Sequence, residues 1–335
     1  MNKIFSSLKK VRELSSLLFL VGMFLIVGMI NPSFLSPSNL ITCFNGSVMY
    51  ILLAVGIAFV LMTGQIDVSI GSTLGLCAAF AATCVRDGRS LFFTIPVTLL
   101  IGAAIGLFNG FVVAKLKIPS IILTLGTMGI IRGIIYIYTN GAWIENLPDQ
   151  FKQYSQAALG PVNIFLLIAV IIVVAIHFYI TKTKSGRYFK ALGDNIGGAT
   201  LIGIPILKTQ ILAYVFCGIS AALASLVFVS RIGFVSPTAG TGYEMTAIAA
   251  CVLGGISLSG GVGSVLGASI GAIIMASLSR VLVFMKFSSD WDNTITGILL
   301  ITIVVFDAVM QRRAAEKARR IRLSARTLSV GEVSE

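Results

Sequence analysis

The sequence predicts an all-α polytopic membrane protein of about ten transmembrane helices, with N- and C-termini both cytoplasmic. Three observations predict it. Hydrophobic residues make up 56% of the chain and charged ones 11%, with a mean hydropathy of +0.97, far from the usage of soluble domains. The 335 residues leave room for ten apolar segments, each crossing about 30 Å of hydrocarbon, and leave no polar segment long enough to bury a core of its own. Lysine and arginine also fall unevenly on the two sides of those segments. A soluble enzyme and a single-span receptor with a folded ectodomain are thereby excluded.

Residues 1–16 read as a short cytoplasmic segment carrying Lys3, Lys9, Lys10 and Arg12. The apolar run 17–30 that follows would also suit a signal peptide, but Met29-Ile30-Asn31-Pro32 offers no small-x-small cleavage site, so it reads as a retained first helix. Further runs occupy 47–63, 68–85, 91–114, 119–139, 161–181, 210–230, 244–258, 264–285 and 294–310, giving a membrane domain over 17–310 and a basic tail over 311–335. On the inner side lie the four bases before the first run, Lys115 and Lys117, five from Lys182 to Lys208, and seven from Arg312 to Arg326. The outer side holds only Arg86, Arg89, Lys152, Arg231 and Lys286, while Arg132 and Arg280 fall inside runs. The net charge of +12 is mostly this positive-inside bias, and the tail is suited to anionic headgroups rather than to nucleic acid. Cys43, Cys77, Cys84, Cys217 and Cys251 are odd in number, lack CxxC spacing and sit mostly in apolar runs, which makes them packing residues.

Two loops exceed what a connector needs. The outer loop 140–160, with Trp143, Glu145, Pro148 and Tyr154, suits a short interfacial helix or docking surface, or an amphipathic turn at the headgroups. In the inner loop 182–208, Asp194 or Asn195 can cap a short helix through Ala199 to Leu201, which Gly203 would end. Such a helix is a shape that a partner protein can grip.

Glycines recur every four residues at Gly102, Gly106 and Gly110, at Gly71 and Gly75, and at Gly263, Gly267 and Gly271, the spacing of close helix packing in lipid. The stretches 64–72 and 254–264 differ, because they mix glycine with hydroxyl residues between two apolar runs and should break the helix. Broken helices at depth persist only where backbone lines a cavity or is buried in protein. Asp67, Ser69, Gly71, Ser72, Glu244, Ser257 and Ser259 are therefore the expected residues of a translocation path. A path that must release its cargo should tolerate loss of a single hydroxyl. Asp67 within the membrane costs roughly 2.5–3.5 kcal/mol, so it should be paired, hydrated, functional or a cap for a helix starting at Val68.

No phosphate loop, His-Glu-x-x-His or hydrolase triad can be assembled from this chain, so no catalytic residue and no metal site are expected. Uphill transport would then draw on an ion gradient or on an ATPase in another chain, and the scarcity of buried acids favours the second. Gln65-Ile66-Asp67-Val68-Ser69-Ile70-Gly71-Ser72, Ile118-Pro119-Ser120-Ile121-Ile122-Leu123-Thr124-Leu125-Gly126-Thr127, Ser185-Gly186-Arg187 with Gly193-Asp194-Asn195 to Gly203-Ile204, and Gly242-Tyr243-Glu244 to Gly263 resemble the ribose-type ABC sugar-import permeases, in that family's order. The resemblance implies an importer of the bacterial inner membrane. Its parts would be two permease subunits, the second a homologous or identical chain, two cytoplasmic ATPase domains that bind ATP and magnesium, and a periplasmic solute-binding protein. It makes the loop 182–208 the ATPase dock, through Arg187, Gly193, Asp194, Asn195, Ala199, Gly203 and Ile204. The solute would be a monosaccharide such as ribose or rhamnose, or the furanosyl signal autoinducer-2. Gly141 to Pro148 and Ile232 to Met245 are most similar to the autoinducer-2 branch, while rhamnose-type members share the Gly-Ala-Trp element. An ion-coupled secondary transporter and a non-transporting scaffold are the rival readings.

Overall fold

The computed structural model describes residues 12–288, 291, 292, 294–302, 305, 309 and 316. The basic tail apart from Glu316 and part of the run 294–310 lie outside the described residues, as do Lys3, Lys9 and Lys10. Helix α1 (Arg12–Ile30) starts inside the segment that the sequence assigns to the terminus, with Glu13 in its first turn. A 3-10 turn at Pro32–Leu35 leads to α2 (Pro37–Gly46), opened by Pro37 at its first position and by Ser36, whose hydroxyl accepts the Asn39 N–H. α2 and α3 (Val48–Met62) meet at a 41° bend. Every residue of α3 except Tyr50 is buried, as a helix apolar on all sides must be.

Next come α4 (Ile70–Arg86), α5 (Leu91–Leu116) and α6 (Ser120–Thr139), which pack against one another. The loop 140–160 and the residues after it then form α7 (Asp149–Tyr154) and a two-stranded hairpin, β1 (Ala158–Leu159) with β2 (Val162–Asn163). After α8 (Ile164–Lys182) come two short helices, α9 (Lys184–Asp194) and α10 (Ile196–Leu201), and then α11 (Ile206–Ile232), α12 (Tyr243–Leu253) and α13 (Val265–Phe284). Six helices (α1, α5, α6, α8, α11 and α13) are long and apolar enough to cross a membrane, or seven if the bent pair α2–α3 is one span. α4 and α12 are apolar but shorter. The chain is a multi-pass, all-α membrane protein.

The longest helix, α11, packs along α5, α3 and α4. The α5 glycine stripe admits it: Gly102 lies against the Gly218 carbonyl, Gly106 against that of Tyr214 and Gly110 against Ile211. Gly267 and Gly271 of α13 receive the backbone of α12 at Gly254 and Ala250 in the same way. Phe92, Ile137 and Ile171 stay exposed on α5, α6 and α8, the apolar surface a bilayer would cover. All five cysteines are free and buried, in keeping with a packing role.

The two ends of the bundle differ. At the α7 end, Ile144 and Val235 exchange backbone hydrogen bonds of 2.9 and 3.0 Å, and Trp143 stacks on Phe234 at 5.3 Å between ring centroids. This clamp holds the outer loop to the linker between α11 and α12. The opposite end carries α9 and α10.

Candidate functional site

Between α3 and α4 the backbone leaves the helix, and its polar groups are met by side chains. The Ile66 N–H donates to Ser120 Oγ at 3.2 Å and the Val68 N–H to Thr124 Oγ1 at 3.1 Å. Asp67 Oδ1 accepts the Ser69 N–H at 2.8 Å and the Ser69 hydroxyl at 2.6 Å. Ser69 Oγ in turn accepts from Asn109 Nδ2 at 2.9 Å, and Asn109 Oδ1 accepts from the Thr127 hydroxyl at 2.8 Å. Asp67, Ser69, Asn109, Thr124 and Thr127 are all buried. Two expectations change. The new helix starts at Ile70 with Ser69 as its cap, not at Val68, and Asp67, expected to cap a helix starting at Val68, bonds to Ser69 just ahead of it. Ser72 turns its hydroxyl back to the Ser69 carbonyl.

Ser69 is thus both donor and acceptor in a closed network, unlike a hydroxyl kept free for cargo. Ser69→Ala should cost about 1–3 kcal/mol by leaving Asp67 and Asn109 short of a partner. A thermal melt of the detergent-purified protein tests this, and an unchanged midpoint would contradict the network.

One turn further along α4, Gly71 faces the Glu244 carboxylate and Gly75 the Ala239 carbonyl, so here the glycines seat a carboxylate and a loop instead of a helix. Glu244 lies in the first turn of α12, and its Oε1 accepts the Gly242 N–H at 3.2 Å. Arg132 of α6 donates to the Ala239 carbonyl and stands close enough for its charge to act on that of Glu244. Arg132 Nη2 and Glu244 Oε2 are buried without a hydrogen-bond partner among the described residues.

The second break, after α12, closes on itself through Ser257 N–H to the Val262 carbonyl (3.0 Å), Gly260 N–H to the Ser257 carbonyl (3.2 Å) and Ser259 N–H to Ser257 Oγ (3.3 Å). Gly261 N–H then donates to the Met62 carbonyl at 3.0 Å, joining the second break to the first. The end of α9 reaches the same point. A Cβ on Gly261 would sit 2.7 Å from Asp194 Cα, and one on Gly260 would sit 2.6 Å from Gly64 N and 3.0 Å from Gly193 Cα. Three backbone segments meet there with no side chain between them.

α9 is held from inside. Thr183 caps it by accepting the Gly186 N–H at 3.0 Å, and Gly186, Phe189 and Leu192 form its buried face. Phe189 packs edge-on against Phe59 at 5.1 Å and within 6.4 Å of Phe216 and Tyr179. Burial lowers the pKa of Lys190 on α9, with the nearby Glu13 charge opposing that shift. Of the two caps that the sequence offers for α10, Asn195 is used, its Oδ1 accepting the Gly198 N–H at 2.9 Å. Gly203, at φ +76°, ends the turn while Ala199 and Ile204 are buried beneath it. Arg187, Asp194 and Asn195 are exposed, and Ile196, Leu201 and Ile202 present apolar side chains outward, Leu201 at 90% exposure.

At the far end of α12 lies a cavity of about 520 Å³ between α2, α3, α11, α12 and α13. Thr42, Tyr50, Arg231, Tyr243, Ser279 and Arg280 supply its polar lining. Tyr50 and Tyr243 pack edge-on at 5.7 Å, and Arg231 Nη1 donates to the Gly46 carbonyl at 2.9 Å. Ser279 donates to Asp292 Oδ2 at 2.6 Å. Asp67, Ser69, Gly71, Ser72, Glu244, Ser257 and Ser259 do not line this cavity, although Glu244 adjoins Tyr243 in the chain.

The family described as branched-chain amino acid transport system / permease component matches residues 39–304. The chain belongs to this family. It is similar to the autoinducer 2 import system permease protein LsrC of Enterobacter sp. (strain 638), 41% identical over 321 residues that cover 95% of this chain and 93% of the relative. The protein of that name from Escherichia coli O157:H7 is 42% identical over 296 residues, 88% of this chain and 86% of the relative. That from Salmonella typhi is 40% identical over 309 residues, covering 92% and 89%. No solved structure matches.

The resemblance to ribose-type import permeases therefore stands. Sequence reasoning about this permease missed the buried hydroxyls on one face of α6 and their partner Asn109, though Ser120, Thr124 and Thr127 sit at i, i+4 and i+7 within a quoted motif. It also missed the cavity. Its one available signal was Arg280, a charge inside an apolar run.

Proposed function

We propose that this permease is the membrane subunit of an ATP-driven importer in the bacterial cytoplasmic membrane and that its solute is autoinducer-2, a small furanosyl molecule. The observation that carries the reading is the similarity of nearly the whole chain to permeases named for autoinducer-2 import. Another monosaccharide, such as ribose or rhamnose, is the second reading, favoured by the Gly141-Ala142-Trp143 element. The partner ATPase binds ATP and magnesium and docks on α9 and α10 at the cytoplasmic face, where Ile196, Leu201 and Ile202 offer apolar surface that water would not otherwise favour. Both termini lie on that side. A periplasmic binding protein delivers the solute to the other face, and a second permease subunit, homologous or identical, completes the path.

The arrangement also suggests how force would pass. Movement of α9 reaches the breaks at Gly193 and Asp194, because Gly260 and Gly261 are in backbone contact there. α12, 11 residues or about 16 Å long, then carries it to Tyr243 at the cavity.

Cells producing the chain with its ATPase, second permease subunit and binding protein should take up labelled autoinducer-2. Uptake should persist when the proton gradient is collapsed with ATP maintained, and cease when the ATPase cannot hydrolyse ATP. Uptake by the purified chain alone on a proton or sodium gradient would overturn the reading in favour of a secondary transporter.

A further inference from the structure

We propose that the cavity beneath Arg231 and Arg280 is a resting site for the solute in the outer half of the permease, and that the site takes a small ring polyol. This rests on the import reading above. Its volume of about 520 Å³ is within the range of small-molecule sites. Tyr50 and Tyr243 give an aromatic floor on which the C–H face of a saturated ring can lie. Arg231 is positioned by the Gly46 carbonyl yet keeps further N–H donors, and no hydrogen-bond partner of Arg280 occurs among the described residues. Thr42 and Ser279 add hydroxyls. Hydroxyl and ring oxygens accept from guanidinium and hydroxyl donors without needing a countercharge.

The same lining disfavours an amino acid. Among the described residues no carboxylate lines the cavity: Asp292 stands behind Ser279 and accepts its hydroxyl, and Glu244 turns towards Gly71. The α-carboxylate of an amino acid would pair with the guanidiniums, but its ammonium would find no carboxylate among the described lining residues, and a leucine side chain would strip water from the polar lining for no return.

The complete complex in proteoliposomes tests the site. Arg280→Gln should lower uptake about 10- to 100-fold through loss of a charge-assisted bond, while loaded binding protein still stimulates ATP hydrolysis. A second measurement does not depend on uptake: Thr42→Cys, in a chain whose other cysteines are serine, should be labelled by a water-soluble thiol reagent and protected by autoinducer-2 or ribose but not by leucine. If the wild type imports autoinducer-2 while Arg280→Gln imports equally well and neither polyol protects Thr42→Cys, the site is wrong and the import reading survives. Protection by ribose without autoinducer-2 import would support the site and overturn the solute assignment. Protection by leucine would overturn the ligand class.

Discussion

Gly261→Val should sever the junction between the second break and α9. Gly261 has φ +75°, a backbone region that costs a non-glycine residue about 1–3 kcal/mol. A Cβ there would also meet the Asp194 backbone at 2.7–2.8 Å, and overpacking of this kind adds roughly 1–3 kcal/mol. The two penalties act at one point, so α9 should be forced off the break. The expected result is a complex that assembles poorly and whose ATP hydrolysis no longer responds to loaded binding protein. Gly203→Leu is the matched control, since Gly203 has φ +76° but nothing within 4 Å of its Cβ position. It should show the conformational penalty alone, with a smaller loss of melting temperature and a displaced dock. Equal losses in the two variants would mean that the contact with Asp194 contributes nothing.

Phe189→Ala is expected to have a comparable effect by another route. Phe189 is fully buried, and truncating such a side chain costs about 3–5 kcal/mol, because Phe59, Phe216 and Tyr179 cannot close the space it leaves. The loss falls on the apolar face that holds α9 to the bundle along its length. Limited trypsin digestion should cut rapidly at Lys182, Lys184 or Arg187 in the variant and slowly in the wild type, and stimulated ATP hydrolysis should fall with it. Phe189→Leu should restore most of both. A Phe189→Ala protein that resists trypsin and couples normally would show that α9 is held some other way.

Helix positions were legible because each long apolar run carries its own signal, and every one of the first nine runs falls on a helix. The cap at Asn195 and the stop at Gly203 were legible because side-chain capping and positive φ are local properties. What could not be read were contacts between residues distant in sequence. Nothing local distinguishes Ser69 as the acceptor for Asn109, and nothing marks Gly260 and Gly261 as neighbours of Gly193. Glycine-rich breaks look alike whether they open onto solvent or, as here, press backbone on backbone. The cavity was hidden for a related reason: its polar lining comes singly or in pairs from five helices, so no stretch of chain displays it.

The position of α12 bears on how such permeases can diversify. The cavity at one end is built of side chains, and the junction at the other end is built of main chain. With the cavity as the proposed solute site, substitution at Thr42 or Ser279 would alter what that end recognises and leave the junction at the other end untouched. Glycines 260 and 261 have almost no freedom to vary, because any replacement collides with a neighbouring strand of backbone. On that reading, a graft of a new specificity onto this scaffold should be confined to the cavity-lining ends of α2, α3, α11 and α13.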